Sequence, residues 1–248
     1  MDTIYILWLR QMKKFRRSGV RMIISVVQPL VYFVALGYGL NSIFQAAGRG
    51  SYIQFIVPGI IGQTTLFSCI FWGVNLIFDK QFGFLKETLV APVSRTSVLL
   101  GGALGGATIG VLQGIILFII AILFGFHPYS WPMVGLTLFF LILLSLAMVS
   151  FSSAIGAIVN DMQGFMAITN FLVLPLFFLS GAMFPLDGVP RVMKAFAYVN
   201  PLSYAIDAMR ATLINQSYFG LWTDFFVMAG TLIILLVFSI YRFKKIQA

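Results

Sequence analysis

Long apolar runs without a charged residue alternate with short charged segments along most of this chain. Five such runs occur, at 22–48, 50–78, 96–160, 162–186 and 225–241. A membrane-spanning helix needs about 20 predominantly apolar residues, and the third run is long enough for two. The pattern therefore predicts six transmembrane helices, near 22–42, 54–78, 97–125, 132–158, 164–184 and 222–242.

A different pattern precedes the first predicted span. At 100° per residue, the apolar side chains of residues 4–17 share one face and the basic ones share the other. The two sets are Ile4, Leu7, Trp8 and Phe15, against Arg10, Lys13, Lys14, Arg16 and Arg17. Basic residues near anionic headgroups contribute on the order of 1 kcal/mol each. We predict one membrane domain over 1–248, with an interfacial amphipathic helix (1–21), a six-helix bundle (22–242) and a basic cytoplasmic tail (243–248).

The charged stretch between the second and third predicted spans, 79–97, contains a short amphipathic segment. Its ridge residues fall at helical spacing, and they are Phe84, Leu85, Thr88 and Leu89. Lys86 and Glu87 lie on another face, and Pro92 ends the helix. Such a helix lies on the membrane surface and offers an apolar ridge to a soluble partner. A solvated loop resting on lipid headgroups is the alternative that the residues alone leave open.

Between the fifth and sixth predicted spans, residues 184–220 are too polar to cross the membrane and too apolar for a free loop. We predict two short helices that dip into the outer leaflet after Pro185, where protein or water must satisfy their irregular backbone. Asn200 and Pro201 fit the start of the second helix. Asp207 and Arg210, three residues apart on it, are expected to pair, with substrate binding as the alternative.

Two further patterns concern helix packing and a substrate path. Gly102, Gly106, Gly110 and Gly114 recur every four residues, which lets another helix approach closely. Five phenylalanines on the fifth predicted span form an aromatic wall, for which packing in the core or against lipid is the alternative: Phe165, Phe171, Phe177, Phe178 and Phe184. Asn170 and Gln63 are the candidate polar contacts to substrate. Such a wall suits an amphipathic molecule better than a strongly charged one.

Composition and charge agree with a membrane protein. Mean hydropathy is +0.99 and only 9% of residues are charged, against about 25% in soluble domains. The net charge of +9 comes from basic residues at the edges of apolar runs, which argues for membrane topology and against nucleic-acid binding. With the amino terminus inside, twelve basic residues lie inside and four outside, so both termini are expected in the cytoplasm. The first apolar run lacks a cleavage pattern and is expected to be retained.

Two stretches closely resemble type-2 ABC exporter permeases, particularly the daunorubicin-resistance kind. The first comprises Asp79, Lys80, Gly83, Leu85, Lys86-Glu87, Leu89 and Ala91-Pro92-Val93-Ser94-Arg95. The second is PLFFLSGAMFPLDGVP with Asn200-Pro201-Leu202-Ser203-Tyr204 and Asp207-Ala208-Met209-Arg210. In that family the first stretch carries a cytoplasmic coupling helix that docks on the ATP-binding subunit, and the second forms re-entrant helices. The resemblance implies that Phe84, Leu85, Thr88 and Leu89 dock, with Glu87 as a polar contact, Pro92 as a corner, and Lys86 and Arg95 alongside.

The chain has no G-x-x-x-x-G-K-[ST] phosphate-binding loop, so the resemblance implies a non-catalytic subunit without a cofactor or metal of its own. ATP and Mg would be bound by a separate ATPase subunit in two copies. A second permease chain would complete the pore, as a homodimer, with a heterodimer left open. The expected function is export of an amphipathic drug, lipid or lipid-linked substrate, in the manner of multidrug efflux. The expected place is a prokaryotic plasma (inner) membrane.

Two other classes of protein remain as alternatives. A secondary, ion-coupled transporter or channel would place ionisable residues near mid-membrane, whereas Asp79, Asp161 and Asp224 fall at predicted span ends. At Asp161 we expect a helix cap rather than a proton relay. An intramembrane enzyme would need paired acids, an activated nucleophile or metal ligands, and His127 stands alone beside Pro128.

Overall fold

The computed structural model describes the backbone of residues 2–90 and 92–246, and within these ranges the side chains of residues 2, 20–22, 86 and 89 lie outside the description. Every regular element in those ranges is helical, as predicted. The α-helices are α1 (Asp2–Arg17), α2 (Gly19–Gly39), α3 (Asn41–Ala46), α4 (Tyr52–Gln81), α5 (Phe84–Val90), α6 (Arg95–Leu123), α7 (Trp131–Ile158), α8 (Met162–Phe178), α9 (Arg191–Val199), α10 (Pro201–Ile214) and α11 (Leu221–Lys244). One 3₁₀ turn covers Leu186–Gly188.

Four of the described helices are long and apolar enough to cross a membrane: α4, α6, α7 and α11, with 24 to 30 residues each. They match four of the six predicted spans to within three residues at each end. The other two predicted spans correspond to α2 and α8, whose described apolar parts, Ile23–Gly39 and Met162–Phe178, are shorter. A 17-residue helix is about 26 Å long, near the lower limit for a span, so the count of six stays a prediction.

The helix at the fifth predicted span ends earlier than predicted. The prediction placed this span at 164–184, within the apolar run 162–186, but α8 ends at Phe178. A tight turn follows, in which Gly181 adopts a φ of +77° and the Ser180 hydroxyl accepts a hydrogen bond from the Ala182 amide at 3.2 Å. The left-handed conformation favours glycine and cannot continue an α-helix. Phe184 therefore lies beyond this helix.

The core is built around α4, which packs against α2, α6, α7 and α10. Polar side chains join α4 to α7, where Trp72 Nε1 donates to Ser153 Oγ at 2.7 Å and Ser152 Oγ donates to the Cys69 carbonyl at 3.0 Å. Without water in the hydrocarbon, such buried groups need partners of this kind, and these bonds define how the two helices are aligned.

The glycine row on α6 lies against these helices. Gly102 and Gly106 face the Trp72 side chain, and Gly110 lies next to Cys69, where an added Cβ would be 2.7 Å from the sulfur. Gly114 faces Leu141 of α7 in the same way. Each of these sites is too close for a side chain, so the small residues let α6 approach α4 and α7.

Residues 184–220 contain the two predicted short helices, α9 and α10. Asn200 caps α10 by accepting a hydrogen bond from the Leu202 amide at 3.0 Å, and Pro201 occupies the first turn, as predicted. Pro185 precedes the 3₁₀ turn. Helix α10 is buried against α4, α7 and α11, and its Asp207 and Thr212 side chains form hydrogen bonds with Ser217 and Thr137 of the protein. The position of both helices relative to the membrane stays a prediction.

The predicted pairing of Asp207 with Arg210 is wrong. The Asp207 carboxylate accepts hydrogen bonds from the Ser217 hydroxyl and from the amides of Tyr218 and Phe219, each at 2.9 Å. Arg210 instead donates to the Gly181 carbonyl at 3.1 Å. Backbone donors of the loop after α10 thus compete successfully for the carboxylate, because their geometry is fixed by the turn.

Candidate functional site

Helix α5 begins directly after Gly83, whose φ of +81° turns the chain away from α4. Leu85 is only 6% exposed and packs against Leu76, Val98 and Phe243 of α4, α6 and α11. Its neighbour Phe84 is 50% exposed and Val90 is 83% exposed. The helix is therefore amphipathic, with one side resting on the bundle and the other facing outward.

The remaining predicted coupling residues occupy different parts of this element. Glu87 is exposed, while the Thr88 hydroxyl donates to the Phe84 carbonyl at 2.9 Å. Pro92 is exposed at the corner between α5 and α6, followed by Ser94, which caps α6 by accepting from the Ser97 amide at 3.0 Å. The side chains of Lys86 and Leu89 lie outside the described residues. Position on the outward side thus favours Phe84 and Glu87 for contact with a partner, and Leu85 for attachment to the bundle.

An ion pair connects the last turn of α4 to α1. Asp79 Oδ1 lies 3.2 Å from Lys14 Nζ and 3.4 Å from Arg10 Nη2. Asp79 is 9% exposed, whereas both cations are partly exposed. Burying a carboxylate without such partners is strongly unfavourable, so this contact stabilises the packing of α1 on α4. Two basic residues of α1, Arg10 and Lys14, thus bind a carboxylate of the bundle, and the other basic residues of this face remain available to lipid headgroups.

The next residue, Lys80, holds the end of α7. Its ammonium donates to the carbonyls of Gly156 and Val159 at 3.2 and 2.8 Å, and to Asn160 Oδ1 at 2.9 Å. Carbonyl groups at a helix C-terminus have no partner within the helix and carry partial negative charge, so a cation stabilises them. Asp161 then caps α8 by accepting from the Gly164 amide at 2.6 Å, which is the capping role predicted for it.

Arg95 connects the base of the α5–α6 corner to the end of α11. Its Nη1 donates to the carbonyl of Lys244 at 2.8 Å and to that of Ile246 at 2.6 Å. The charge of Arg95 is therefore satisfied inside the chain, at a second helix C-terminus. Together with Asp79 and Lys80, it ties the α5 region to α1, α7 and α11.

The candidate substrate-path residues do not lie in one cavity. On α8, Phe165 and Phe177 are buried, whereas Asn170, Phe171 and Phe178 are exposed on the outer side of the helix. Phe165 packs against Gly73 of α4, where an added Cβ would be 2.5 Å from its ring. The buried pair thus serves packing, and the exposed residues form an apolar face on the surface of this single chain.

Gln63 lies elsewhere, in a cleft of about 430 Å³ between α2 and α4. Apolar residues including Ile24, Phe67 and Phe71 line one part of the cleft, and Gln28, Gln63 and Thr64 line another. On the wall formed with α6, Gln113 Nε2 donates to Ser25 Oγ at 2.6 Å, and the Ser68 hydroxyl donates to Gln113 Oε1. The cleft combines apolar surface with a few amides and hydroxyls.

Comparison with known protein families identifies the chain. Residues 2–214 match the model of the ABC-2 type transporter family, which includes α5 and extends to the end of α10. The chain belongs to the ABC-2 type transporter family. It is therefore a multi-pass membrane subunit of an ABC transporter, and the family implies association with an ATP-binding subunit. The resemblance noted in the two stretches of sequence is confirmed.

Curated relatives cover most of this ABC-2 chain. It is 29% identical to the putative transport permease ycf38 of Cyanophora paradoxa, over 99% of this chain and 89% of the relative. It is 26% identical to the inner membrane transport permease YadH of Escherichia coli, over 93% and 89%. Nodulation protein J of Rhizobium leguminosarum is 24% identical over 84% and 80%. The relatives therefore share nearly the whole length of the chain.

Several residues of this ABC-2 chain that contribute to the site were missed by sequence reasoning. Phe78 and Phe82 stack with ring centroids 5.9 Å apart and extend the apolar surface beside α5. Their spacing of four residues at the end of an apolar run is the signal that could have found them. Gln28 and Ser68 line the cleft, and their signal in the sequence is that they are polar residues inside apolar runs. The sequence does not show that they lie near Gln63, because this depends on how α2 packs against α4.

Proposed function

We propose that this ABC-2 subunit is the permease of an ATP-driven exporter that moves an amphipathic drug, lipid or lipid-linked molecule out of the cytoplasm. The observation that carries the proposal is the division of α5, with Leu85 seated in the bundle and Phe84, Glu87 and Val90 facing outward. A short helix of this form, seated in the bundle on one side and presenting two apolar residues and a carboxylate on the other, is suited to docking a soluble subunit. In this proposal, ATP hydrolysis takes place on that subunit, which binds ATP and Mg.

The proposed orientation has α5 and both termini in the cytoplasm of a prokaryotic cell. In its support, contacts between Lys14 and Asp79 and between Arg95 and Lys244 bring the basic parts of α1, α4, α6 and α11 to one end. Among the side chains that the structure describes, the basic residues at the other end are Arg49, Arg191, Lys194 and Arg210. The positive-inside bias assigns the first end to the cytoplasm. Six spans, including α2 and α8, and re-entrant α9 and α10 complete this topology.

The proposed assembly contains two copies of this permease and two ATPase subunits. In support of a second permease, the outer side of α8 is apolar, with Phe171 78% exposed and Leu174 and Phe178 also exposed. One such chain offers only one wall of a pore between two bundles. We favour a homodimer, in which the same patch contacts both its copy and surrounding lipid.

The proposed mechanism is alternating access, in which ATP-driven closure of the partner subunits displaces α5. Because Leu85 packs against Val98 and Phe243, movement of α5 displaces α6 and α11 together. Asp79 and Lys80 extend the displacement to α1 and α7. A ligand or partner shifts such an equilibrium only when it contacts the two states differently, and the outward side of α5 supplies that contact.

The cleft between α2 and α4 supports the proposed substrate class. Its apolar residues and its amides, Gln28 and Gln63, fit an amphipathic molecule with neutral polar groups. The described residues of the cleft carry no charge, which disfavours a strongly charged solute at this position. Contact with α8 is proposed in addition, through Asn170 and Phe171 of a second copy.

The test is co-purification with the ATP-binding subunit and measurement of its ATPase activity in lipid nanodiscs. Phe84→Ala and Glu87→Lys should each weaken assembly by about 1–2 kcal/mol, roughly five- to thirtyfold in Kd, because a contact residue of an interface is lost. The melting temperature of the permease alone should not change. Phe196→Ala, an equally exposed phenylalanine on α9, is the matched control and should assemble as wild type.

Unchanged assembly and turnover in both α5 variants would remove the docking assignment. Reconstituted transport separates the function classes. Movement of a lipid-soluble fluorescent substrate should require ATP and the ATPase subunit. Movement driven by an ion gradient without nucleotide would instead favour a secondary carrier.

A further inference from the structure

A second polar cavity lies at the end of the bundle opposite α5. It has a volume of about 690 Å³ and is lined by Arg49, Phe55, Arg210 and the segment 216–218, among others. Phe55 is in the first turn of α4, whereas α5 follows the last turn of the same 30-residue helix. The two sites are therefore separated by about 40 Å of helix. Nothing in the coupling site or in the cleft at Gln63 uses this cavity.

Arg210 is the central group of the cavity. It is only 7% exposed and belongs to α10, one of the most buried helices. One guanidinium nitrogen donates to the Gly181 carbonyl, and the Cζ atom lies 4.0 Å from the centroid of the Phe55 ring. Its Nε is buried without a hydrogen-bond partner among the described residues. A full positive charge thus has only a neutral carbonyl and an aromatic ring in direct contact.

A second arginine, Arg49, lies across the same cavity. Its Nη2 is 3.5 Å from the place that a Cβ of Gly188 would occupy, so its guanidinium is next to the 3₁₀ turn. Arg49 also borders a neighbouring cavity of about 300 Å³ that contains Gln54 and Gln216. Arg49 and Arg210 therefore both border the larger cavity.

Among the described residues, no carboxylate forms an ion pair or hydrogen bond with these arginines, although the charge of Asp207 acts on Arg210 through space. Asp207 accepts its hydrogen bonds from Ser217, Tyr218 and Phe219, as described above. Asp187 also borders the cavity but is exposed at its rim, and the ion pairs found among the described residues all involve Asp79. A buried cation without a paired anion is unfavourable, and guanidinium groups bind phosphate and carboxylate through two parallel hydrogen bonds. The cavity contains what an anionic ligand would need.

We propose that this cavity is a binding site for an anionic group, a phosphate or a carboxylate, held between Arg210 and Arg49. The buried guanidinium fixes the position of the anion, because α10 and Phe55 hold it in place. Arg49, which is exposed, closes over the ligand from the rim. The inference goes beyond the proposed function and stands on the cavity alone. The anionic group belongs either to a free solute or to a lipid headgroup.

The experiment measures how fast a cysteine placed in the cavity reacts with a maleimide. Gln216→Cys is introduced into the full chain, purified with its ATPase subunit in phosphatidylcholine nanodiscs, and labelled with a soluble maleimide. The native Cys69 is buried, so the unmodified protein supplies the background. One arm adds inorganic phosphate against chloride at equal ionic strength. The other arm replaces part of the phosphatidylcholine with phosphatidylglycerol.

We expect the anion to slow labelling several-fold in at least one arm. Slowing by phosphate supports a site for a free anion, and slowing by phosphatidylglycerol alone supports a headgroup site. Arg49→Gln should raise the anion concentration needed for half-maximal protection roughly tenfold, as expected for loss of a charge-assisted hydrogen bond. Arg210→Gln should abolish it, and Arg210→Lys should retain part of it.

Two results would overturn the proposal. One is labelling that neither anion slows. The other is slowing of the same size in wild type and in Arg49→Gln, which shows that the arginine is not a ligand. Because Arg49 is exposed, Arg49→Gln is expected to fold. It therefore tests the proposal even if the Arg210 variants do not fold. ATPase coupling and assembly through α5 are measured on the same samples, and their failure would affect the proposed function without affecting this site.

Discussion

Adjacent residues in this ABC-2 subunit have opposite environments, as Phe84 and Leu85 show on α5. Phe84 faces outward, and Leu85 packs against Val98 and Phe243. Gly102 illustrates the same dependence on position within α6, because its Cα faces the Trp72 indole, while Gly135 on α7 has no atom within 4 Å of its Cβ direction. At the scale of a residue, the neighbour across the helix interface decides what a side chain does.

Gly102→Ala should destabilise the protein, because the new methyl group would overlap the rigid Trp72 ring. Overpacking of this kind costs about 1–3 kcal/mol. Gly135→Ala is the control at an open helical position, where replacing glycine should leave stability unchanged or raise it by up to about 1 kcal/mol. Thermal unfolding in a mild detergent measures both. Equal melting temperatures for the two variants would contradict the close approach of α6 to α4.

At the scale of elements, helix ends are joined by cations. Lys80 of α4 binds the C-terminal carbonyls of α7, and Arg95 of α6 binds those of α11. Both contacts lie at the α5 end of the bundle, where each helix has unsatisfied carbonyl groups. The α5 end of the bundle is therefore connected to several helices rather than to one.

Arg95→Gln should loosen the end of α11. The variant loses two hydrogen bonds from a charged donor to the carbonyls of Lys244 and Ile246, for an expected loss of about 1 kcal/mol at this partly exposed site. Hydrogen exchange of the amides in residues 243–246 should become faster, while α4 and α7 remain protected. Arg16→Gln, at an exposed arginine on α1, should leave that exchange unchanged. Wild-type exchange in Arg95→Gln would show that the bonds do not hold the terminus.

At the scale of the whole molecule, the two ends of the bundle differ in charge and in shape. The α5 end has most of the basic residues, and the opposite end has the short helices α3, α9 and α10 together with the arginine cavity. The amide of Tyr129 donates to the Leu213 carbonyl at 2.7 Å, which joins the α6–α7 loop to the end of α10. The two ends of the bundle therefore differ in charge and in structure, as expected for a membrane protein with a fixed orientation.

A cysteine-labelling experiment tests the proposed topology. Single cysteines at Tyr129 and Gln45, which are exposed at one end, should react with a membrane-impermeant maleimide on intact cells. Cysteines at Glu87 and Gln163, exposed at the other end, should react only after the membrane is opened. The reason is the positive-inside bias together with passage of α6, α7 and α8 between the ends. Reaction of Gln163→Cys and Tyr129→Cys from the same side would show that the assumed number of spans is wrong.

The sequence was sufficient for the features that depend on local patterns. Apolar runs located all the long helices, because hydrocarbon requires each span to satisfy its own backbone. The caps at Asn200 and Asp161 were also predictable, since they involve residues only a few positions apart. The amphipathic segment from Phe84 was visible for the same reason, although its spacing did not tell which residues face the bundle.

Only the tertiary structure decided the contacts between distant segments. It directs Asp207 to the loop at 217–219 instead of Arg210, separates Gln63 from the α8 phenylalanines, and brings Arg49 and Arg210 to one cavity. These contacts depend on which helices pack together. The sequence does not determine this pairing, because the apolar surfaces of different helices have similar residues. The local pattern determines where helices form, because it sets backbone and burial requirements. Side-chain fit and competition among polar partners determine which residues meet.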